Sequence, residues 1–299
     1  MIGLSSLFAV VLLGGCSNML LFNPKGAIGD AERFVIIIAI ALMLLVVIPV
    51  IVMGLLFPSK YRASNIKATY MPKWSRSGKI ELIVWLIPAA IVAVLGSLVW
   101  NATFHLDPYK PIDTGRRPIS IEAVSLDWKW LFIYPDQHIA TVNQLVFPAN
   151  VPLSFRLTSD TVMTSFFIPQ LGSQMYAMAG MQTRLHLMAD EPGTYAGQNQ
   201  QFSGRGFADM TFKAIAVSPE QFEAWVQKTR QSPDKLDFAR YKELAKPSVS
   251  NSTVSFSSVN PDLFEYIIRK YDKTMGMNSN PIFKESDSMP MKAVELERD

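Results

Sequence analysis

The sequence predicts a two-helix transmembrane hairpin followed by an all-β external domain with a C-terminal helical appendage. Three observations predict it. Two long stretches carry no ionisable side chain, a purely basic loop joins them, and beyond residue 118 the apolar residues change from continuous runs to alternation.

The first apolar stretch runs from Phe34 to Phe57 and the second from Leu82 to Trp100. At about 1.5 Å of rise per residue each is long enough to cross the roughly 30 Å hydrocarbon layer of a bilayer. Pro49 and Pro88 lie inside these segments, where a kink is tolerated because neighbours satisfy the freed backbone groups. Two core helices of a soluble protein would need a covering surface all round, which makes the hairpin the better reading. The loop 58–80 carries Lys60, Arg62, Lys67, Lys73, Arg76 and Lys79 before its first neighbouring acid, Glu81. A loop of that charge stays in the cytoplasm, so both flanking ends lie outside.

Charge follows the same division. The chain has 299 residues and a net charge of +3, yet beyond Trp100 it holds 20 basic against 22 acidic residues. The basicity reports topology and not nucleic-acid binding. About 200 residues follow the hairpin, enough for one ordinary core with an appendage.

The single cysteine, Cys16, follows a short apolar run, LFAVVLLGG. That pattern resembles a bacterial lipoprotein signal: residues 1–15 would be removed and Cys16 acylated, leaving 16–33 as an external linker. No Lys or Arg precedes the run, a departure from the pattern, and an unprocessed N-terminus with a free Cys16 is the alternative.

After the proline-rich connector DPYKPIDTGRRP, residues 118–218 read as a β-domain. Leu126, Trp128, Trp130, Phe132 and Tyr134 are expected to share one strand face, and further strands are expected at 151–157, 162–168, 183–189, 194–198 and 210–217. Several short strands separated by turn residues favour a sandwich or barrel. From Pro219 the helical period returns in PEQFEAWVQKTR and again in PDLFEYIIRKY, giving a helical region over 219–277, with 278–299 as a flexible polar tail. His105, His138 and His186 stand on separate segments without ligand spacing and are read as surface or structural residues. No phosphate-binding glycine loop or nucleophile triad is recognisable, so no independent active site is expected.

The order of signal, hairpin, DWKWLFIYP, SDTVMTSFFIPQLGSQMYAMAGMQTRLHL and EPGTYAGQ resembles subunit II of the haem-copper respiratory oxidases. Within them it is most similar to the cytochrome bo-type ubiquinol oxidases, whose subunit II is a lipoprotein with a copper-less, cupredoxin-like external domain. The resemblance covers the chain from Cys16 to about Trp225. In the cytochrome c oxidases this domain holds two coppers through a histidine and a later Cys-x-x-x-Cys-x-x-x-His-x-x-Met loop. The corresponding positions here are Thr164 for the first histidine, then Asn199, Ser203, Phe207 and Met210, with Gln201 at the backbone ligand. Only Met210 retains the ligand type, and Met210 is itself expected to be core. Soft, electron-transferring copper needs thiolate, and the only Cys lies before the hairpin.

The resemblance implies that this chain carries no cofactor, that haems and copper reside in subunit I, and that ubiquinol is the substrate of the complex. It implies subunit I, smaller membrane subunits and the bilayer as partners, in a bacterial inner membrane with the β-domain on the periplasmic side. Glu81 opens the second helix at its cytoplasmic boundary, where the resembled oxidases have a glutamate at the mouth of a proton pathway. An acid there is also favoured by the helix dipole without any further role. The competing functional readings are a copper-relay subunit of a cytochrome c oxidase and an unrelated membrane-tethered lipoprotein binding module.

Overall fold

A computed structural model describes residues 19–69, 71, 73–249 and 252–272. Cys16, the expected signal at 1–15 and the tail 278–299 lie outside the described residues.

Two long helices come first, α1 (Ala27–Lys60) and α2 (Gly78–His105). Both extend past the apolar runs, because an ionisable residue ends a hydrophobic stretch without ending a helix. Lys60 sits in the last turn of α1, where the dipole favours a cation, and Glu81 in the first turn of α2, where it favours an anion. Helix α1 therefore occupies residues 27–33 of the expected linker and the first three residues of the expected loop. Pro49, Pro58 and Pro88 are all helical. Gly29 is the only buried residue on α1 and α2 has none, so both present apolar faces outward along their length. These faces suit lipid or other helices, and they anchor the chain in a membrane.

The β-domain is a sandwich of two sheets. One has the order β11-β3-β2-β1-β5-β8 and the other β4-β10-β9-β6-β7. The strands are β1 (Ile119–Leu126), β2 (Lys129–Tyr134), β3 (Ile139–Val142), β4 (Gln144–Pro148), β5 (Leu153–Ser159), β6 (Thr164–Phe167), β7 (Met175–Ala177), β8 (Thr183–Leu187), β9 (Gly193–Asn199), β10 (Thr211–Val217) and β11 (Val254–Phe256). Pairs β1–β5 and β4–β10 are parallel and the rest antiparallel. Strands β3, β4, β7 and β11, three to five residues each, were not among the expected strands.

Trp130, Phe132 and Tyr134 face the other sheet and are fully buried with Phe155, Phe166 and Phe212. Alternation places them correctly, but one member of the expected stripe differs: Leu126 points to the opposite face. Trp128 packs against the same inner core, from the β1–β2 turn at φ 63° and not from a strand. The tight turn between Leu126 and Lys129 reverses the chain, so the two-residue period does not carry across it.

The region after the sandwich is more than helical. Helix α3 (Pro219–Arg230) has a complete capping box, in which Ser218 accepts from the Gln221 N–H and Gln221 Oε1 accepts from the Ser218 N–H. It is followed by α4 (Phe238–Leu244), strand β11 and α5 (Leu263–Asp272). Leu236, Tyr241, Phe256, Leu263, Phe264 and Ile267 form a second core against Val124, Leu126, Leu131, Ile133, Ala140 and Val142, on the outer face of the larger sheet.

The start of α1 is fastened to the sandwich. The Lys25 N–H donates to Gln170 O at 2.7 Å, the Asp190 N–H donates to Lys25 O at 2.9 Å, and Lys25 Nζ pairs with Glu191 at 2.8 Å. A Cβ on Gly26 would stand 2.3 Å from the Met188 carbonyl oxygen, so the close approach requires glycine there. Ser173 donates to Glu32 from the same side.

Candidate functional site

The positions that hold copper in the resembled relay subunits lie at one end of the sandwich. Asn199 ends β9, Thr164 begins β6, and Ser203, Phe207 and Met210 follow in the loop leading to β10. β6 and β9 are paired, with Phe166 opposite Asn199, so the fold brings these segments together whatever the side chains are.

Asn199 is the centre of what fills the space. Its Oδ1 accepts from the Ser165 and Gln201 N–H groups, each at 2.9 Å. Its Nδ2 donates to Gln201 O at 2.8 Å, approaches Ser203 Oγ at 3.1 Å and Met210 Sδ at 3.4 Å. Ser203 Oγ lies 3.9 Å from the same sulfur. Asn199 is 5% and Met210 1% exposed, so a neutral amide network closes this end of the core. Thr164 is 1% exposed, and its Oγ1 has no hydrogen-bond partner. Phe207 is half-buried in a 3-10 turn, with its ring 5.7 Å from that of Phe202. Asn199, Gln201, Ser203 and Met210 are thus joined in one network; Phe207 meets it only through its backbone, its carbonyl accepting from the Met210 N–H at 3.2 Å, and the Thr164 hydroxyl does not join it.

The donor set does not suit a dinuclear copper centre. It offers an amide, a hydroxyl, a thioether and a backbone carbonyl, with neither thiolate nor imidazole to hold a soft metal. Among the described residues no three His, Cys, Asp or Glu side chains cluster as metal ligands.

One contributor was missed in the sequence. Trp128 donates from Nε1 to Ser203 O at 2.9 Å and lies over the loop glycines. A Cβ on Gly206 would stand 2.4 Å from its ring and 2.7 Å from Val249. The S-G-R-G sequence of residues 203–206 is the only signal of such a close approach, and nothing in it names the tryptophan.

At the other end of the chain's length, Glu81 stands in the first turn of α2 as expected. Arg76 Nε is 3.4 Å from Glu81 Oε2, and both side chains are exposed. His186 is a buried structural residue: its ring lies 3.3 Å from Ser154 Oγ and 3.1 Å from Pro108 O, tying the connector to β8.

A sandwich of this order behind two apolar helices, with an aromatic C-terminal segment on its outer face, defines the class. Residues 131–217 match the family described as "Cytochrome C oxidase subunit II, periplasmic domain", and residues 230–275 match the "COX Aromatic Rich Motif". The fold is therefore the cupredoxin-like one of that family, as the resemblance implied. Full-length relatives narrow the class further. The chain is 55% identical over 267 residues to cytochrome bo(3) ubiquinol oxidase subunit 2 of Pseudomonas aeruginosa, covering 89% of this chain and 80% of that one. It is 53% identical over 287 residues to the Pseudomonas putida protein of the same name, covering 96% and 90%. It is 48% identical to ubiquinol oxidase subunit 2 of Acetobacter aceti, covering 93% and 90%. The chain belongs to the ubiquinol oxidase subunit 2 family.

Proposed function

We propose that this chain is the copper-less, non-haem subunit II of a proton-pumping ubiquinol oxidase, with electron transfer from quinol to dioxygen carried out in subunit I. The observation that carries this reading is the Asn199 network. It fills the relay position with groups that satisfy one another and leave no thiolate or imidazole for copper. A lipid-soluble donor makes an external relay unnecessary, because quinol reaches its oxidant from within the membrane. The chain then contributes assembly, packing and cover on the external face, and carries no haem or copper of its own.

The lipid anchor, the topology and the proton role belong to the same proposal. Cys16 is acylated after removal of residues 1–15, the basic loop lies in the cytoplasm, and the β-domain faces the periplasm of a bacterial inner membrane. Glu81, beside Arg76 at the cytoplasmic start of α2, admits protons toward subunit I. The test is purification of the tagged chain in mild detergent with an optical spectrum, subunit analysis and intact mass. Haem should co-purify in a larger polytopic subunit, copper should be absent from this chain, and the mass should place lipid on Cys16. A haem-free preparation of this chain alone would sink the reading. In the purified complex Glu81→Ala should slow quinol turnover with haem content unchanged, and Glu81→Asp should recover part of the rate. Full turnover with Ala would leave only the helix-end role.

A further inference from the structure

The outer face of the larger sheet holds a charge cluster that the oxidase reading does not use. Glu122 on β1, Arg156 on β5 and Arg184 on β8 stand in one cross-strand row. Arg156 Nη1 donates to Glu122 at 2.8 Å, and its Nη2 donates to Glu265 on α5 at 2.5 Å. The same guanidinium donates to Gln182 Oε1 through Nε at 3.0 Å and Nη2 at 2.6 Å, and it lies 4.7 Å from the Phe264 ring. One cation is therefore shared by two carboxylates, one of them only 7% exposed as a residue, and helix α5 supplies both the second carboxylate and the aromatic cover.

We propose that the Glu122–Arg156–Glu265 cluster makes α5 a proton-sensitive latch, docked when Glu122 is protonated and loosened when it ionises. With Glu122 neutral, Arg156 and Glu265 form a balanced pair under the helix. With Glu122 ionised, two anions compete for one guanidinium, and Glu122 is the one cut off from water, since Arg156 and Glu265 keep partial solvent contact; lifting α5 relieves this by hydrating Glu122 and removing Glu265. Burial pushes the Glu122 carboxyl up to about 7, against the pull of Arg156, and the Glu265 charge adds to the rise. The sign follows. A carboxyl raised in the docked state binds more protons there than when opened, so docking weakens as pH rises from the ordinary glutamate range through about 7.

The neighbouring groups set the limits of the effect. On β2 the residue opposite Glu122 is the apolar Ile133, which offers no counter-charge. Arg184 is the one further cation in the row. On α5, Lys270 pairs with the buried Asp160 at 2.8 Å and Tyr271 donates to the Asp160 carbonyl, so the end of the helix keeps a second tether; Arg269 is exposed. Loosening should therefore be greatest in the first two turns of α5.

Hydrogen–deuterium exchange on the full-length protein in detergent tests this, with intrinsic rates corrected by unfolded peptides. Between about pH 5.5 and about pH 8.5, protection of α5 should fall on the order of tenfold in the wild type, while the strands of the inner core stay unchanged. Glu122→Gln keeps the shape and removes the titration, so α5 should stay protected at both values. If Glu122→Gln does not fold, Glu265→Gln serves instead: Arg156 then belongs to Glu122 alone, and the midpoint of the response should move to lower pH. Constant wild-type protection, a wild-type response in Glu122→Gln, or an unmoved midpoint in Glu265→Gln would each overturn the latch.

Discussion

The two cores of the β-domain share strands but are closed in different ways. The inner core lies between the sheets and is sealed by residues of the sandwich itself, with Phe166 in ring contact with Trp130, Phe132, Phe155 and Phe212. The outer core lies on the reverse of β1, β2 and β3 and is sealed by residues 236–267, which arrive after every strand of the sandwich proper. Strand β2 is consequently buried at every position. Its inward residues are bulky aromatics, whereas its outward ones, Leu131 and Ile133, wait for a cover supplied from more than 100 residues away. A sheet face closed by a late segment can be opened without dismantling the sandwich; the face between the sheets cannot.

The largest effect should come from removing the cover. A chain ending at Arg230 keeps all strands but β11 and leaves Val124, Leu126, Leu131, Ile133 and Val142 facing water, a contiguous apolar patch of the kind that drives association. Expressed from Pro118, such a fragment should aggregate, whereas one ending at Asp272 should be soluble and monomeric by light scattering. A monomeric shorter fragment would mean that the outer core is dispensable and that the two cores are less coupled than their shared strands suggest.

A matched pair of truncations sharpens the comparison. Phe166→Ala should cost about 3 to 5 kcal/mol, since the rings around it cannot collapse into the space. Phe264→Ala removes an equally buried ring, but the segment bearing it can detach locally, so the cost to the sandwich should be about half as large. Thermal melts followed by near-ultraviolet circular dichroism on the 118–272 fragment would measure both. Equal losses would show that the C-terminal segment unfolds only with the whole domain.

The contrast also explains what the sequence could reveal. Helices α1 and α2 were legible because a membrane span needs nothing but its own composition, and α3 because PEQFEAWVQKTR returns to the helical period from Pro219. Trp130, Phe132 and Tyr134 were legible by alternation, since their partners lie on an adjacent sheet with the same period. The side of Leu126 was not, because a two-residue turn breaks the period, and β11 was not, because three residues paired to β3 carry no pattern of their own. At the candidate site the identities of Thr164, Asn199, Gln201, Ser203, Phe207 and Met210 were readable, and so was the lack of thiolate. Which side chains would touch depended on hydrogen-bond capacity and on reach: Asn199 offers donors and an acceptor to three loop partners, the Phe207 side chain offers none and turns to Phe202, and the Thr164 hydroxyl has the capacity but meets none of them. The Arg156 cluster needed four distant segments and was invisible.

The smallest effect should appear where the inner core meets the Asn199 network, and it separates the two things Met210 could be. As a core filler, Met210 contributes volume, and Met210→Leu conserves it, so the loss should stay below about 1.5 kcal/mol. The Asn199 Nδ2 group keeps Gln201 O and Ser203 Oγ after the sulfur is gone, so no buried donor is orphaned. Asn199→Ala is the informative contrast. It strands the N–H groups of Ser165 and Gln201, and should cost about 1 to 3 kcal/mol. Chemical denaturation of the 118–272 fragment ranks the two, and copper analysis of the same samples should be blank for wild type and both variants. A Met210→Leu loss as large as that of Asn199→Ala would mean that the Asn199 Nδ2 contact to the sulfur carries as much stability as the two N–H groups held by Oδ1. Copper bound by the wild type and lost from Met210→Leu would make the thioether a ligand, and the relay function would then have to be restored to this end of the sandwich.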